Sequence, residues 1–253
     1  MTLNIVIPMA GAGSRFSQAD YAIPKPLILI HHIPMIQLVI NNVRPLCSHR
    51  FIFICQRSHV ATYNLQEKLS AWAAGSTLVQ LDEKTEGAAC TVLAAKKWFD
   101  TNEPLMIVNS DQFIDFDINI YLEKMNTEPL DGLIMTMRAN DPKWSFVGLN
   151  EQQLVTKIAE KQAISDEATV GIYNFRKGSD FVTAAEMMIQ QNLRVNGEFY
   201  IAPVYNQLIH SGKKIGIYNI GHNKDKMYGL GTPEDLEYFL NLKLSHQVSG
   251  SML

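Results

Sequence analysis

LNIVIPMAGAGSRF, Leu3–Phe16, takes an apolar run directly into a turn with almost no side chains. Leu3–Ile7 reads as a buried strand. The residues that follow let backbone N–H groups approach a ligand closely. Consecutive free N–H groups after a strand form an anion-binding concavity. Gly11 and Gly13 permit positive φ, Ser14 adds a hydroxyl, and Arg15 offers a fork of donors suited to phosphate oxygens. The turn therefore reads as a phosphate site. No Gly-Lys-Ser/Thr closes it, so it is not a Walker loop, and the third glycine of a dinucleotide fingerprint is missing.

Outward from this turn, the first half of the chain alternates strand and helix. Strands are expected at Arg50–Cys55, Thr77–Leu81 and Pro104–Asp111, and helices at Met35–Val43, after Cys55 up to about Ala73, and at Ala88–Phe99. Apolar strands separated by helices indicate a parallel sheet covered on both faces, with ligands beyond the carboxyl ends of its strands. The second half reads differently. GLIMTM, SFVGLN, LVTKIAE and TVGIYNF are short strand-like runs, which point to mixed or antiparallel additions. Helices are expected at Asp180–Gln191 and Tyr200–His210, a strand near Lys214–Tyr218, and a last helix in TPEDLEYFLNL. Thr232 suits its N-cap and Pro233 its first position.

The composition is that of an ordinary globular chain of 253 residues: 47% apolar, 19% charged, formal net charge −3. That balance argues against non-specific nucleic-acid binding. No apolar window approaches the roughly 18 residues a membrane span needs, so no membrane partner is expected and the cytoplasm is the default. Cys47, Cys55 and Cys90 have no metal-ligand spacing and read as buried free thiols. Trp98, Phe99, Tyr238 and Phe239 read as core positions.

Lys25 lies between Pro24 and Pro26, which stiffen the backbone and aim the ammonium. Asp111 ends an apolar strand, where a carboxylate meets ligands at the sheet edge; Mg²⁺ prefers carboxylate and phosphate oxygens. Gly87 and Ala88 begin a helix and are small enough to admit a flat ring. Gln80 and Glu86 are placed to read base edges, and the backbones of Ala10 and Gly11 offer groups to a pyrimidine edge.

AGAGSRF followed by PKPLI and PMI resembles the signature of the nucleotidyltransferases that make activated sugars, a superfamily of sugar-1-phosphate thymidylyl-, uridylyl- and cytidylyltransferases and phosphocholine cytidylyltransferases. TEGAACT, VNSDQ, IAEK, TVGIYNF, NGEFYIAPVYNQLI and GLGTPEDLEYF are similar to its later motifs, in the same order. The resemblance implies a Rossmann-like three-layer α/β/α fold of the GT-A-like type with a mostly parallel central sheet. It implies one domain over 1–243 and a loose tail over 244–253. Arg15 and Lys25 are then catalytic. Met9, Ala10, Gly11, Ala12, Gly13, Ser14, Gln80, Glu86, Gly87, Ala88 and Asp111 hold the nucleotide. Glu160, Lys161, Gly171, Arg194 and Glu198 hold the acceptor, with Tyr200 and Asn206 shaping its pocket. Mg²⁺ is the implied cofactor on Asp111. Gly229 occupies the position where the family usually has a second metal-binding aspartate, and Asp225 is the substitute considered.

The implied reaction couples a nucleoside triphosphate, CTP before UTP or dTTP, to a phosphorylated sugar or other phosphoester with release of pyrophosphate. The implied setting is capsule or lipopolysaccharide precursor synthesis, and homodimerisation is left open. The competing reading is a GT-A glycosyltransferase using a nucleotide-sugar, with Asp115-Phe116-Asp117 as its Asp-x-Asp metal motif. A non-catalytic nucleotide sensor is the third, against which Arg15, Lys25 and Asp111 argue.

Overall fold

The computed structural model describes residues 1–11 and 13–250. β1 (Leu3–Pro8) leads through the glycine turn to α1 (Ser14–Ser17) and a 3₁₀ turn at Lys25–Leu27. A hairpin of β2 (Leu29–Ile30) and β3 (Ile33–Pro34) precedes α2 (Met35–Asn42). Next come β4 (His49–Gln56), α3 (Arg57–Tyr63), α4 (Leu65–Trp72), β5 (Thr77–Leu81) and α5 (Ala88–Leu93). β6 (Leu105–Val108), β7 (Gln112–Ile114) and α6 (Ile118–Thr127) complete the first half. The second half holds β8 (Gly132–Arg138), β9 (Ser145–Leu149), β10 (Val155–Glu160), β11 (Glu167–Phe175), α7 (Gly178–Gln190) and α8 (Val204–His210). β12 (Ile215–His222), β13 (Met227–Gly229), α9 (Pro233–Leu240) and α10 (Lys243–Gly250) follow.

The central sheet is the expected one. β6-β1-β4-β5 run parallel. β11 joins β6 antiparallel and extends the sheet to the β9–β10 hairpin and, through β8, to β12. Period-two alternation sorts the core. Ile5 and Ile7 face a cluster with α2, α4 and α6; Val6, Ile52 and Ile107 face one with α5, α7 and α8. Each face is therefore covered by helices, and the three layers follow from the sequence pattern. A third cluster ties Phe16, Ile28, Phe113, Leu230 and Phe239 together. It anchors the segments that carry the glycine turn, Lys25, Asp111 and α9 against one another.

Local differences from the sequence reading have local causes. The helix expected after Cys55 and up to about Ala73 is broken at Asn64, which sits in the left-handed region at φ 52°. The helix expected to reach Phe99 ends at Leu93, followed by a 3₁₀ turn. Thr232 caps α9 as expected, its Oγ1 accepting from the N–H of Asp235. Residues 244–250, expected as a loose tail, lie in α10, which docks on the β2–β3 turn. His31 Nε2 bonds Ser245 Oγ at 2.8 Å, and the His31 and His246 rings stack 3.8 Å apart. Phe99 and Phe239 are core residues, whereas Trp98 and Tyr238 are more than a third exposed on the same helical stretches. Cys47 is exposed; Cys55 is buried, and burial pushes its thiol up to about 12.

Candidate active site

The carboxyl ends of β1 and β6 open into a cavity of about 410 Å³. One wall is the glycine turn. Gly13 adopts the left-handed conformation (φ 60°), and Phe16 N–H donates to its carbonyl. Gly11 lies outside that region of φ and is exposed. Buried Phe16 pins the turn, and Arg15, beside it, reaches the cavity. Lys25 opens the 3₁₀ turn after Pro24, and its Cβ lies 3.4 Å from where a Gly13 Cβ would stand. Lys25 Nζ donates to Asp111 Oδ2 at 2.7 Å, with both side chains about three-quarters buried. This ammonium–carboxylate pair joins two motifs 86 residues apart.

Asp111 is positioned from two sides. Its carbonyl accepts from Leu230 N–H, and a Cβ on Gly231 would stand 2.5 Å from Oδ2. β11 bulges between Thr169 and Tyr173, where Gly171 takes φ 82°. A Cβ there would collide with Asn109 and Gln112, so Gly171 makes room for the side chains flanking Asp111.

The far wall comes from the β9–β10 hairpin and the segment before α8. Glu160 ends β10, and Ser145 Oγ donates to its carboxylate. Lys161, a non-glycine residue at φ 55°, places Nζ 2.5 Å from the Tyr200 hydroxyl and 4.6 Å above its ring. Tyr200 donates to Glu198 at 2.7 Å. Burial raises the Tyr200 phenol, with Glu198 and Glu160 adding to the shift and Arg15 opposing it. The start of α5 is stitched to this wall: Phe199 N–H donates to the Glu86 carbonyl, and Ala89 N–H to that of Phe199. Gly87, at φ 125°, is required there because a Cβ would stand 2.5 Å from the Phe199 backbone.

Burial pushes the Glu160 carboxyl up; Ser145 and Lys161 oppose the shift and Glu198 adds to it. A carboxyl raised on folding binds its proton more tightly in the folded state. Its stabilising contribution is present below the ordinary carboxylate range and lost as pH rises through the raised value. Glu160→Gln should therefore flatten the fall in stability on going from about pH 4, within the ordinary carboxylate range, to about pH 7. Denaturant midpoints of both proteins at the two pH values check this; parallel curves would refute it.

The cavity gathers Gly13, Ser14, Arg15, Lys25, Ala88, Asp111, Glu160, Lys161, Gly171 and Glu198 of the residues read from the sequence. Others stand elsewhere. Met9 and Ala10 are buried at the end of β1, and the Ala10 carbonyl already accepts from Gln56. Gln80 is paired with Arg57 on β5. Glu86 pairs with Arg194 at 3.1 Å, outside the cavity. Arg194 also binds the Gly197 carbonyl, stacks over Phe199 and lines a separate hollow beside β10, outside the cavity. Asn206 brackets Ile158 through its backbone, also away from the cavity. Ala12 lies outside the described residues. Asp225 is exposed and off the cavity; the segment beside Asp111 is Gly229–Gly231. The Asp-x-Asp of the glycosyltransferase reading is committed elsewhere: Asp115 pairs with Lys226 and Asp117 caps α6.

Sequence reasoning passed over Asn109, Lys143, Trp144, Thr169 and Tyr173, all on the cavity wall. A lysine and a tryptophan directly after Asn-Asp-Pro were a usable signal, since an indole joins an apolar body to one N–H donor, and here that Nε1 is buried with no hydrogen-bond partner among the described residues.

The nucleotidyl transferase family model matches residues 5–214. The chain belongs to that family. The bifunctional protein GlmU of Methanocaldococcus jannaschii is 22% identical over 258 residues, covering 99% of this chain and 57% of that protein. The chain thus spans a little over half the length of the curated relatives it matches. A nucleoside-diphosphate-sugar pyrophosphorylase from Vibrio cholerae superposes with a TM-score of 0.80 at 27% identity, over 94% of this chain and 100% of that one. The inositol-1-phosphate CTP transferase of T. maritima shares the fold at a TM-score of 0.73 and 14% identity, over 98% and 95% of the two chains. Family membership places the chain among enzymes that transfer nucleotidyl groups. Among the described residues, no helix is long and apolar enough to cross a membrane.

Proposed function

We propose that the chain joins a nucleoside triphosphate, with a pyrimidine base and CTP first, to a phosphorylated sugar or other phosphoester, releasing pyrophosphate. The Lys25–Asp111 pair at 2.7 Å, set between the glycine turn and the Lys161 wall, carries the reading. An acceptor phosphate oxygen attacks the α-phosphorus and pyrophosphate leaves in line. The acceptor phosphate is already ionised near neutral pH, so no general base is needed. Charge builds on the phosphoryl oxygens, and catalysis comes from positioning and fixed cations. Arg15 and the turn amides hold the triphosphate, Lys25 stabilises the α-phosphoryl charge, and Lys161 holds the acceptor phosphate. Ala88, small and on the wall, leaves space for a flat base.

The donor set suits Mg²⁺. In this reading Asp111, at the carboxyl edge of the sheet and a quarter exposed, is the carboxylate that would hold it; the described residues form no cluster of three or more His, Cys, Asp or Glu that could hold a metal. Substrate oxygens and water complete such a site, as Mg²⁺ readily accepts. When bound, the ion neutralises phosphate charge. The proposed setting is cytoplasmic synthesis of surface polysaccharide precursors, capsule or lipopolysaccharide.

The test is pyrophosphate release with Mg²⁺ across a matrix of nucleoside triphosphates and phosphorylated sugars, alcohols and amino-acid derivatives. Release that needs one nucleotide and one acceptor together is the expected result. Turnover of a nucleotide-sugar with no pyrophosphate formed from any pair would overturn it.

A further inference from the structure

We infer that Lys143 is a second ammonium for the acceptor phosphate, stored on Asp235 and delivered to a phosphomonoester dianion held opposite Lys161. The inference rests on the function proposed above and narrows its acceptor to phosphomonoesters.

Lys143 lies between β8 and β9 and lines the cavity. Its Nζ is 3.2 Å from Asp235 Oδ2 and 3.9 Å from Asp141 Oδ2, and it lies 5.0 Å above the Trp144 ring. The hairpin register sets its place. Ser145 pairs with Glu160, and one step outward Lys161 N–H donates to the Trp144 carbonyl at 3.0 Å. Lys143 and Lys161 therefore leave the same end of one hairpin and reach the same cavity.

Charge gives Lys143 its role. Lys25 is balanced by Asp111. On the acceptor wall, Lys161 faces Glu160 and, through Tyr200, Glu198. Arg15 lines the same cavity but is taken by the triphosphate in this reading, so Lys161 alone faces two carboxylates, which does not favour a dianion. Lys143 supplies the missing charge once it leaves Asp235. Two glycines stand between the two ion pairs: a Gly229 Cβ would stand 3.4 Å from Trp144 and 3.8 Å from Asp235 Oδ2, and a Gly231 Cβ 2.5 Å from Asp111 Oδ2. No side chain at positions 229 or 231 intrudes between Asp235 and Asp111.

Release leaves Asp235 supported. It sits in the first turn of α9, where the helix dipole favours a carboxylate. The lysine has a flexible four-carbon stem and is a third exposed, so it can change partner without moving the backbone.

The experiment titrates inorganic phosphate into the full chain saturated with Mg²⁺ and the non-hydrolysable α,β-methylene analogue of the preferred nucleotide, by calorimetry. Inorganic phosphate is the smallest dianion of the class. Lys143→Ala should weaken phosphate about tenfold and leave the analogue within about twofold, the loss of one charge-assisted contact. Lys143→Arg should retain most of the affinity. Asp235→Asn, which removes the storage partner, should tighten phosphate; this variant keeps the test alive if Lys143→Ala unfolds. Phosphate affinity unchanged in both Lys143→Ala and Asp235→Asn would make the ion pair a structural tie and overturn the inference. Weakening of the analogue instead would move Lys143 to the triphosphate and also overturn it. Wild-type protein that binds the analogue but no phosphate sinks this inference alone, whereas failure to bind any nucleotide sinks the function beneath it.

Discussion

Replacing Lys25 with alanine lowers kcat by about 10²–10³-fold while the protein stays folded, the range seen when a fixed donor to transition-state charge is removed. The argument is geometric. Pro24 and the buried Pro26 hold the backbone, so the ammonium is presented without a search through chain conformers. Its partner Asp111 lies at the carboxyl edge of the sheet, where the proposed function puts the phosphates. The stability cost is small. Each side chain of the pair keeps about a quarter of its exposure, and a partly solvated ion pair contributes roughly 1 kcal/mol or less. Asp111 is left with access to water rather than stranded. Turnover and thermal unfolding of the same preparation separate the two effects. A variant that unfolds says nothing against the role; a folded variant with near-normal kcat removes Lys25 from catalysis. A rise in KM at constant kcat would instead mean that Lys25 binds ground state and transition state alike.

The sequence was informative where one residue's chemistry sufficed. The alternation that sends Ile5 and Ile7 to one face and Val6 to the other predicts a covered sheet, and the sheet is there. The glycine turn, Lys25 and Asp111 were each legible as ligand-facing groups, and the fold brings them together. What was not legible depends on pairing over long distances. β7 and β13 are three residues each, too short for a periodic signal, yet their register puts Gly229 opposite Gln112 and so brings Gly231 to Asp111. Asp225 was chosen as a carboxylate near in sequence, and the short sheet leaves it outside the cavity. Arg194 read as an acceptor cation because it precedes Glu198, but Glu86 and Phe199 hold it. Lys143 had a local signal in the Asn-Asp-Pro-Lys-Trp turn, but its pairing with Asp235, 92 residues later, was not legible.

Gly231→Ala should lower kcat by about 10–100-fold with little change in unfolding midpoint, as small displacements of positioned groups do. The methyl group would stand 2.5 Å from Asp111 Oδ2, the oxygen that accepts from Lys25. Either the carboxylate rotates off the ammonium or the Gly229–Gly231 segment moves away. The Leu230 N–H to Asp111 carbonyl bond resists the second course. Gly231 lies outside the left-handed region, so alanine adds no backbone strain there. Gly87 and Gly171 are poorer probes, because both take positive φ and their replacement would mix strain with site geometry. If Asp111 is the carboxylate that receives Mg²⁺, the variant should also need more Mg²⁺ for half-maximal turnover, and removing Mg²⁺ with a chelator should abolish turnover in both proteins. A variant with reduced kcat and unchanged Mg²⁺ dependence would keep Asp111 as the partner that orients Lys25 and remove it from the metal. Unchanged kcat and unchanged Mg²⁺ dependence together would mean that the reacting phosphates lie away from Asp111, and the site would have to be rebuilt around Arg15 and Lys161.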